Sequence, residues 1–193
     1  MNYLAHLFLS RNEPQIMVGN FIADFVRSSQ TANFPEKIKE GIALHHQIDH
    51  YTDTHAMVQQ SKDRLRPEFG KYAGVIVDVF YDHFLSIHWE KFTTQNRLDF
   101  CKQAYTNLQN NFVYLPPPLQ AYLPELIEKN WLYFYASFEG VRRALTNLSN
   151  RSVHRKDLPK ALDTLKTDYN GFEEDFLIFF PDLYQNVNHS KVL

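Results

Sequence analysis

Three stretches of the chain, and one isolated histidine, place imidazoles and carboxylates at spacings that can do chemistry. The densest is Gly41-Ile42-Ala43-Leu44-His45-His46-Gln47-Ile48-Asp49-His50-Tyr51-Thr52-Asp53-Thr54-His55. On a helix, His45, Asp49 and Asp53 follow at four-residue steps and share one face, with His46 and His50 on the neighbouring stripe. A histidine and a carboxylate one turn apart can chelate a single ion, and mixed nitrogen and oxygen ligands suit manganese, iron or zinc better than calcium. Leu44 and Ile48 bracket the stripe, which argues for partial burial against the plainer alternative of a solvated polar face.

The second stretch, Val75-Ile76-Val77-Asp78-Val79-Phe80-Tyr81-Asp82-His83-Phe84-Leu85, sets Asp78 and Asp82 one turn apart in one of the most apolar segments. A buried carboxylate without a partner costs several kcal/mol or titrates to its neutral form. Two of them need cations, hydrogen-bond donors or a metal, whether as ligands or as supports for a liganding histidine. In the third stretch, Gly19 to Arg27, Asn20 and Asp24 share a face flanked by apolar residues. His6 stands in the apolar run Leu4-Ala5-His6-Leu7 and is either a hydrogen-bonded core residue or a ligand. Gathered inside one helical bundle, these residues form an internal metal site. A divalent ion there acidifies water and polarises a phosphoryl oxygen, so phosphoester hydrolysis is the natural reaction. Covalent catalysis has less support: Cys101 has no evident base beside it, and no GxSxG elbow occurs. His55, His154 and His189 read as surface positions.

The elements that must carry these residues read as helices throughout. The chain has 193 residues, 44% hydrophobic and 22% charged, which suits a single domain over 1–193 with a real core. Only 6 glycines occur, so hairpins and glycine-rich phosphate loops are both disfavoured. A net charge of −2 argues against a general nucleic-acid binder, and one cysteine excludes an intrachain disulfide. No apolar run reaches a membrane span of roughly 20 residues, and the first ten residues lack the basic start of a signal peptide. A cytoplasmic protein is expected.

The periodicity predicts a short helix over 2–9, another from Asn12-Pro14 to Val26, and a long one from Pro35 ending near Thr54. Helices then follow over 58–65, from Pro67 to about Trp89, and, capped by Thr93 or Thr94, from Asn96 to Asn110. Two are predicted between Leu119 and Ser149, and a last one from Asp157 to Pro181. Aromatic residues at helical spacing, Trp131 to Phe138 and Phe172 to Phe180, are expected in the core, with a substrate tunnel as the alternative.

Taken in order, four motifs resemble one known family. They are Met1-Asn2-Tyr3-Leu4-Ala5-His6-Leu7 and Gly19-Asn20-Phe21-Ile22-Ala23-Asp24-Phe25-Val26. Gly41-Ile42 with Leu44-His45, Ile48-Asp49 and Thr52-Asp53 follows, then Asp78-Val79 with Asp82-His83-Phe84-Leu85 and His88-Trp89. The chain thereby resembles the acyl carrier protein phosphodiesterases over essentially its whole length. The resemblance implies an all-α bundle distantly related to the HD phosphohydrolases, and a divalent ion, manganese before iron or magnesium. It implies hydrolysis of the phosphodiester joining 4′-phosphopantetheine to a serine of acyl carrier protein.

It further implies a site of Asp24, His45, Asp49, Asp53, Asp78, Asp82 and His83, with His6 nearby; His45, Asp49, Asp82 and Asp24 are the expected metal ligands. Phe8 stands where relatives often carry a second histidine. His46 stands where they usually carry arginine, so phosphate contact there needs the imidazolium and weakens as pH rises. Arg27, Lys62 and Arg64 are candidates for phosphate or partner contact, and Arg142, Arg143, Arg151, Arg155 and Lys156 form a second basic neighbourhood. The carrier is acidic, and such patches would steer it. A phosphohydrolase of small phosphoesters or nucleotides, and a non-enzymatic helical module, remain the alternatives.

Overall fold

The computed structural model describes residues 1–151 and 156–189; Arg155 and His154 lie outside the described residues, as do the side chains of Arg151 and His189. Twelve α-helices follow in order: α1 (Tyr3–Phe8), α2 (Pro14–Ile22), α3 (Ser28–Thr31), α4 (Glu36–Thr54), α5 (Ala56–Phe69), α6 (Ala73–Ile87), α7 (Arg97–Asn110), α8 (Pro117–Glu128), α9 (Trp131–Phe134), α10 (Phe138–Arg151), α11 (Ala161–Thr167) and α12 (Tyr169–His189). Short 3₁₀ turns join several of them, and no strand occurs among the described residues. The fold is all-α. No described helix is long and apolar enough to cross a membrane.

The core is built around α6. Its Ile76, Val77, Val79, Phe80, Tyr81, Phe84 and Leu85 are fully buried, so the helix is apolar nearly all round, as a central helix must be. Against it α12 lays Phe172, Phe176, Phe179 and Phe180, all fully buried. Phe80 meets Phe172 edge-on at 5.2 Å, and Tyr81 meets Phe176 at 5.5 Å. These are the favoured aromatic geometries. A polar clasp ties α12 to α5 as well. Asp175 of α12 is buried and accepts from Ser61 Oγ at 2.7 Å, from Gln60 Nε2 at 2.8 Å and from Arg64. Of the other aromatic run only Tyr135 is fully inside; Phe134 and Phe138 lie at the surface, each under a cation.

The helix pair that matters for the site is α2 with α4. A Cβ added to Gly19 would lie 2.1 Å from the Ile38 carbonyl oxygen, and one added to Gly41 would lie 2.2 Å from that of Ile16. The two helices therefore cross with their backbones in contact. Ile38, Ile42 and Ile48 of α4 are buried on this side, and His45 lies on the same face.

Several helix limits differ from the periodicity reading, each for a local reason. Pro67 lies inside α5, and the break falls at Gly70, whose φ of 54° reverses the chain. Pro181 lies inside α12, which runs on to His189 because Leu183 and Val187 are still buried. Asn96 caps α7 through Leu98 N and Asp99 N, the part expected of Thr93 or Thr94. The last predicted helix is split at Asp168 into α11 and α12, and the Leu119–Ser149 stretch holds α9 as an extra turn.

The glycine crossing generates a test. Gly41→Ala forces α2 and α4 apart, at an expected cost of about 2–3 kcal/mol, or roughly 5–10 °C in Tm for a chain of this size. Unchanged thermal unfolding by circular dichroism would show that the crossing does not bear on stability.

Candidate metal centre

The short helix α1 is held at its N-terminus with every free amide accounted for. Asn2 Oδ1 accepts from Tyr3 N at 2.8 Å, and His6 N donates to Asn2 O at 3.3 Å. Leu4 N and Ala5 N donate to the two oxygens of Asp82, at 2.8 and 3.1 Å. Asp82 is fully buried on α6, so this carboxylate pins α1 onto the core and is turned to the helix start, where negative charge is favoured. Burial pushes its carboxyl up to about 7, against the two amides, which pull it down.

Pinning α1 fixes His6, whose ring lies stacked on that of His45 with centroids 4.1 Å apart. Both imidazoles are oriented by one residue, Asn20 of α2. Its Nδ2 donates to His6 O at 2.7 Å and to Ser10 Oγ at 3.0 Å, which turns its Oδ1 to His6 Nδ1 at 2.7 Å. The backbone oxygen of Asn20 faces His45 Nδ1 at 2.8 Å. Each ring thus donates from Nδ1, and each Nε2 is turned toward carboxylates. His6 Nε2 lies 3.2 Å from Asp49 Oδ1 and 3.1 Å from Met1 O. His45 Nε2 lies 3.0 Å from Asp49 Oδ2 and 3.2 Å from Asp24 Oδ1. Fixing the Nδ1 proton with an oxygen acceptor is how proteins aim Nε2 at a metal.

Without a cation this arrangement is in conflict. Burial lowers the His6 pKa, against the Asp49 carboxylate that raises it. Yet its Nε2 faces only acceptors. Burial also pulls His45 down, but Asp24 and Asp49 outweigh it and hold the imidazolium up at about 9. Burial raises Asp49, while His45 and His6 hold its carboxyl far below the usual carboxylate range. Asp24, paired with His45, is also lowered. One divalent ion would take the place of the protons on the Nε2 atoms. The ligand atoms of His6, His45 and Asp49 lie within 4.8 Å of one another, and this is the one such group among the described residues. The donor set is two nitrogens and a carboxylate, which fits a transition metal of the manganese-to-zinc range. Asp24 is 70% exposed and stands at the open side.

The other expected site residues fall elsewhere. Asp78 lies 3.0 Å from the Met1 amino group, which in turn lies 3.8 Å from Asp49 Oδ1, so it borders the cluster through that amine. Asp53 is exposed and pairs with Lys62 at 2.7 Å. Eight residues past His45, it is about 12 Å further along α4. His83 is buried between Tyr135 O at 2.8 Å and Tyr169 Oη at 2.9 Å, with both ring nitrogens engaged. Arg64 is committed to Asp168 and Asp175 inside the clasp with α12. His46 is exposed, its ring perpendicular to that of His45 at 5.7 Å, and Arg27 is exposed beyond Asp24. Asn20 is the residue whose weight sequence reasoning understated: sharing a face with Asp24 was visible, orienting both imidazoles was not. A concavity of about 780 Å³ between the end of α6 and the start of α7 is lined by none of these residues.

The metal-free protein should show this conflict as a function of pH. His45 is raised from 6.5 to about 9 in the fold. Its contribution is therefore complete below pH 6.5 and lost as pH rises through 9. The lowered Asp24 and Asp49 contribute above about pH 4 and lose their part on acidification. Through His45, chelator-treated protein is expected to lose on the order of 2 kcal/mol of stability between about pH 6.5 and 9.5. His45→Gln should flatten the alkaline limb of a urea-unfolding series; an unchanged limb would remove His45 as its source.

The chain is similar to known proteins over its whole length. The family model described as acyl carrier protein phosphodiesterase matches residues 1–183. A protein of Yersinia pestis named acyl carrier protein phosphodiesterase is 28% identical over 193 residues, covering all of both chains. One of the same name from Enterobacter sp. (strain 638) is 32% identical, again over the full length of both. Another, from Salmonella agona (strain SL483), is 33% identical over 186 residues, 94% of each chain. No solved structure matches the chain. The chain belongs to the acyl carrier protein phosphodiesterase family.

Proposed function

We propose that this protein hydrolyses the phosphodiester between 4′-phosphopantetheine and the serine of acyl carrier protein, giving apo-carrier protein and 4′-phosphopantetheine, in the cytoplasm. The observation that carries the reading is the convergence of His6 Nε2, His45 Nε2 and Asp49 around one point, in a chain whose full-length relatives bear that activity in their names. His6, His45 and Asp49 would hold a divalent ion, manganese first and iron or magnesium next. Such an ion supplies Lewis acidity toward a phosphoryl oxygen and lowers the pKa of water beside it.

The chain's own residues supply the rest. Asn20 keeps both imidazoles in the liganding tautomer. Asp24 lies at the exposed edge of the cluster, where its carboxylate can hold the proton of the attacking water or complete the ligand set. His46, exposed on the next stripe of α4, is placed to meet the phosphate when protonated. Asp82 acts at one remove, by fixing the helix that carries His6.

Two measurements test this. Holo-carrier protein incubated with the enzyme should release phosphopantetheine only with a divalent ion present, seen as a gel-mobility shift of the carrier. His45→Ala and Asp49→Ala should each lower the rate at least 100-fold with helical content intact. Metal-dependent turnover of small phosphoesters alone would move the substrate to that class, and activity undiminished by chelation would sink the metal reading. Asp82→Ala separates positioning from ligation: two amides lose their acceptor, at an expected cost of about 2–4 kcal/mol in urea unfolding. Metal binding should persist in that variant with weakened affinity and unchanged stoichiometry. Loss of the ion with no loss of stability would make Asp82 a ligand.

A further inference from the structure

His46 and His50 stand apart from the other histidines whose side chains are described. His6 and His45 face the inner cluster, and His55 Nε2 lies 3.4 Å from Asp182. His83 is held by Tyr135 O and Tyr169 Oη, and His88 Nε2 lies 2.7 Å from Glu173. The rings of His46 and His50 enter no hydrogen bond and no ion pair with a described residue, and both are exposed. They sit one turn apart within α4, which runs unbroken from Glu36 to Thr54. Residues four apart on a helix share a face, with Cβ atoms about 6 Å apart. Two free imidazoles at that spacing can each turn a nitrogen onto one ion.

The neighbours of the pair on α4 favour a cation. Asp49, three residues past His46, is 40% exposed, and Asp53, three past His50, is 71% exposed. Two imidazole nitrogens suit copper, nickel and zinc, whereas manganese and magnesium are suited by oxygen donors. We propose that His46 and His50 form an outer metal site on α4, which takes an ion of the zinc, nickel or copper kind with water completing the coordination. It differs from the inner cluster in its donors, its exposure and the ion it prefers. An ion there would occupy His46, the group proposed above to meet phosphate; the site itself does not rest on that reading.

The test uses the full chain in saturating manganese. Nickel is titrated by calorimetry into the wild type, His46→Gln and His50→Gln. Both positions are exposed, and circular dichroism checks that helical content is kept. The wild type should take up a further nickel ion per chain, and each variant should lose it, because a single imidazole chelates nothing. Nickel that reaches the inner cluster is common to all three proteins and cancels in the comparison. The result is therefore readable whether or not the chain hydrolyses a phosphodiester. Manganese titrated alone should show no difference among the three. Equal nickel uptake by all three, loss in only one of the two variants, or a wild-type excess that manganese reproduces would overturn the proposal.

Discussion

Two glycines facing one another across α2 and α4 set the geometry on which the candidate site depends. With Gly19 and Gly41 in backbone contact, the Asn20 carbonyl, one residue on in α2, lies within hydrogen-bond reach of His45, one turn on in α4. A side chain at either position would widen the crossing and take that carbonyl away from the imidazole. Asp24, one turn beyond Asn20, reaches the far nitrogen of the same ring for the same reason. Backbone proximity is thus converted into the orientation of one histidine.

The second imidazole is fixed by a different device. A six-residue helix has little stability of its own in water, because nucleation costs more than so few hydrogen bonds return. α1 survives because Asp82 takes two of its free amides inside the core and because Leu4, Ala5 and Leu7 are buried around His6. The carboxylate is costly to bury, and its upward shift reflects that cost. The gain is a histidine held in register against His45. Asn20 joins the two devices, since its side chain serves α1 and its backbone serves α4.

The all-helical class was legible because apolar residues recur at helical period and turn glycines are scarce. His45 with Asp49 was legible for a related reason: a four-residue step on a helix places both side chains on one face whatever the tertiary context. Asp53 obeys the same step and still stands apart, because a shared stripe says nothing about distance along the axis. Asp82 was visible as a buried carboxylate in need of partners. Its partners, however, are the backbone amides of Leu4 and Ala5, and backbone groups carry no residue-type signal. His83 resembles a ligand in sequence for the same reason as Asp82, yet the carbonyl of Tyr135 and the hydroxyl of Tyr169 satisfy it. Pro67 and Pro181 mislead in another way. Each removes one hydrogen bond, and burial of the residues beyond it holds the helix together.

The cluster is asymmetric in exposure, and this bears on the kind of substrate it could serve. His6 and His45 are buried to within a few per cent, whereas Asp49 is 40% and Asp24 70% exposed. The rigid, tautomer-fixed half therefore faces inward, and the carboxylate half opens to solvent. A small metabolite is usually enclosed by its site, which buries most of its surface. A phosphodiester displayed on the surface of a folded protein cannot be enclosed in that way, because its carrier must remain outside. An ion held from behind by imidazoles, with its open side at the molecular surface, suits such a substrate. Asp24 and His46, on either side of His45, are both exposed.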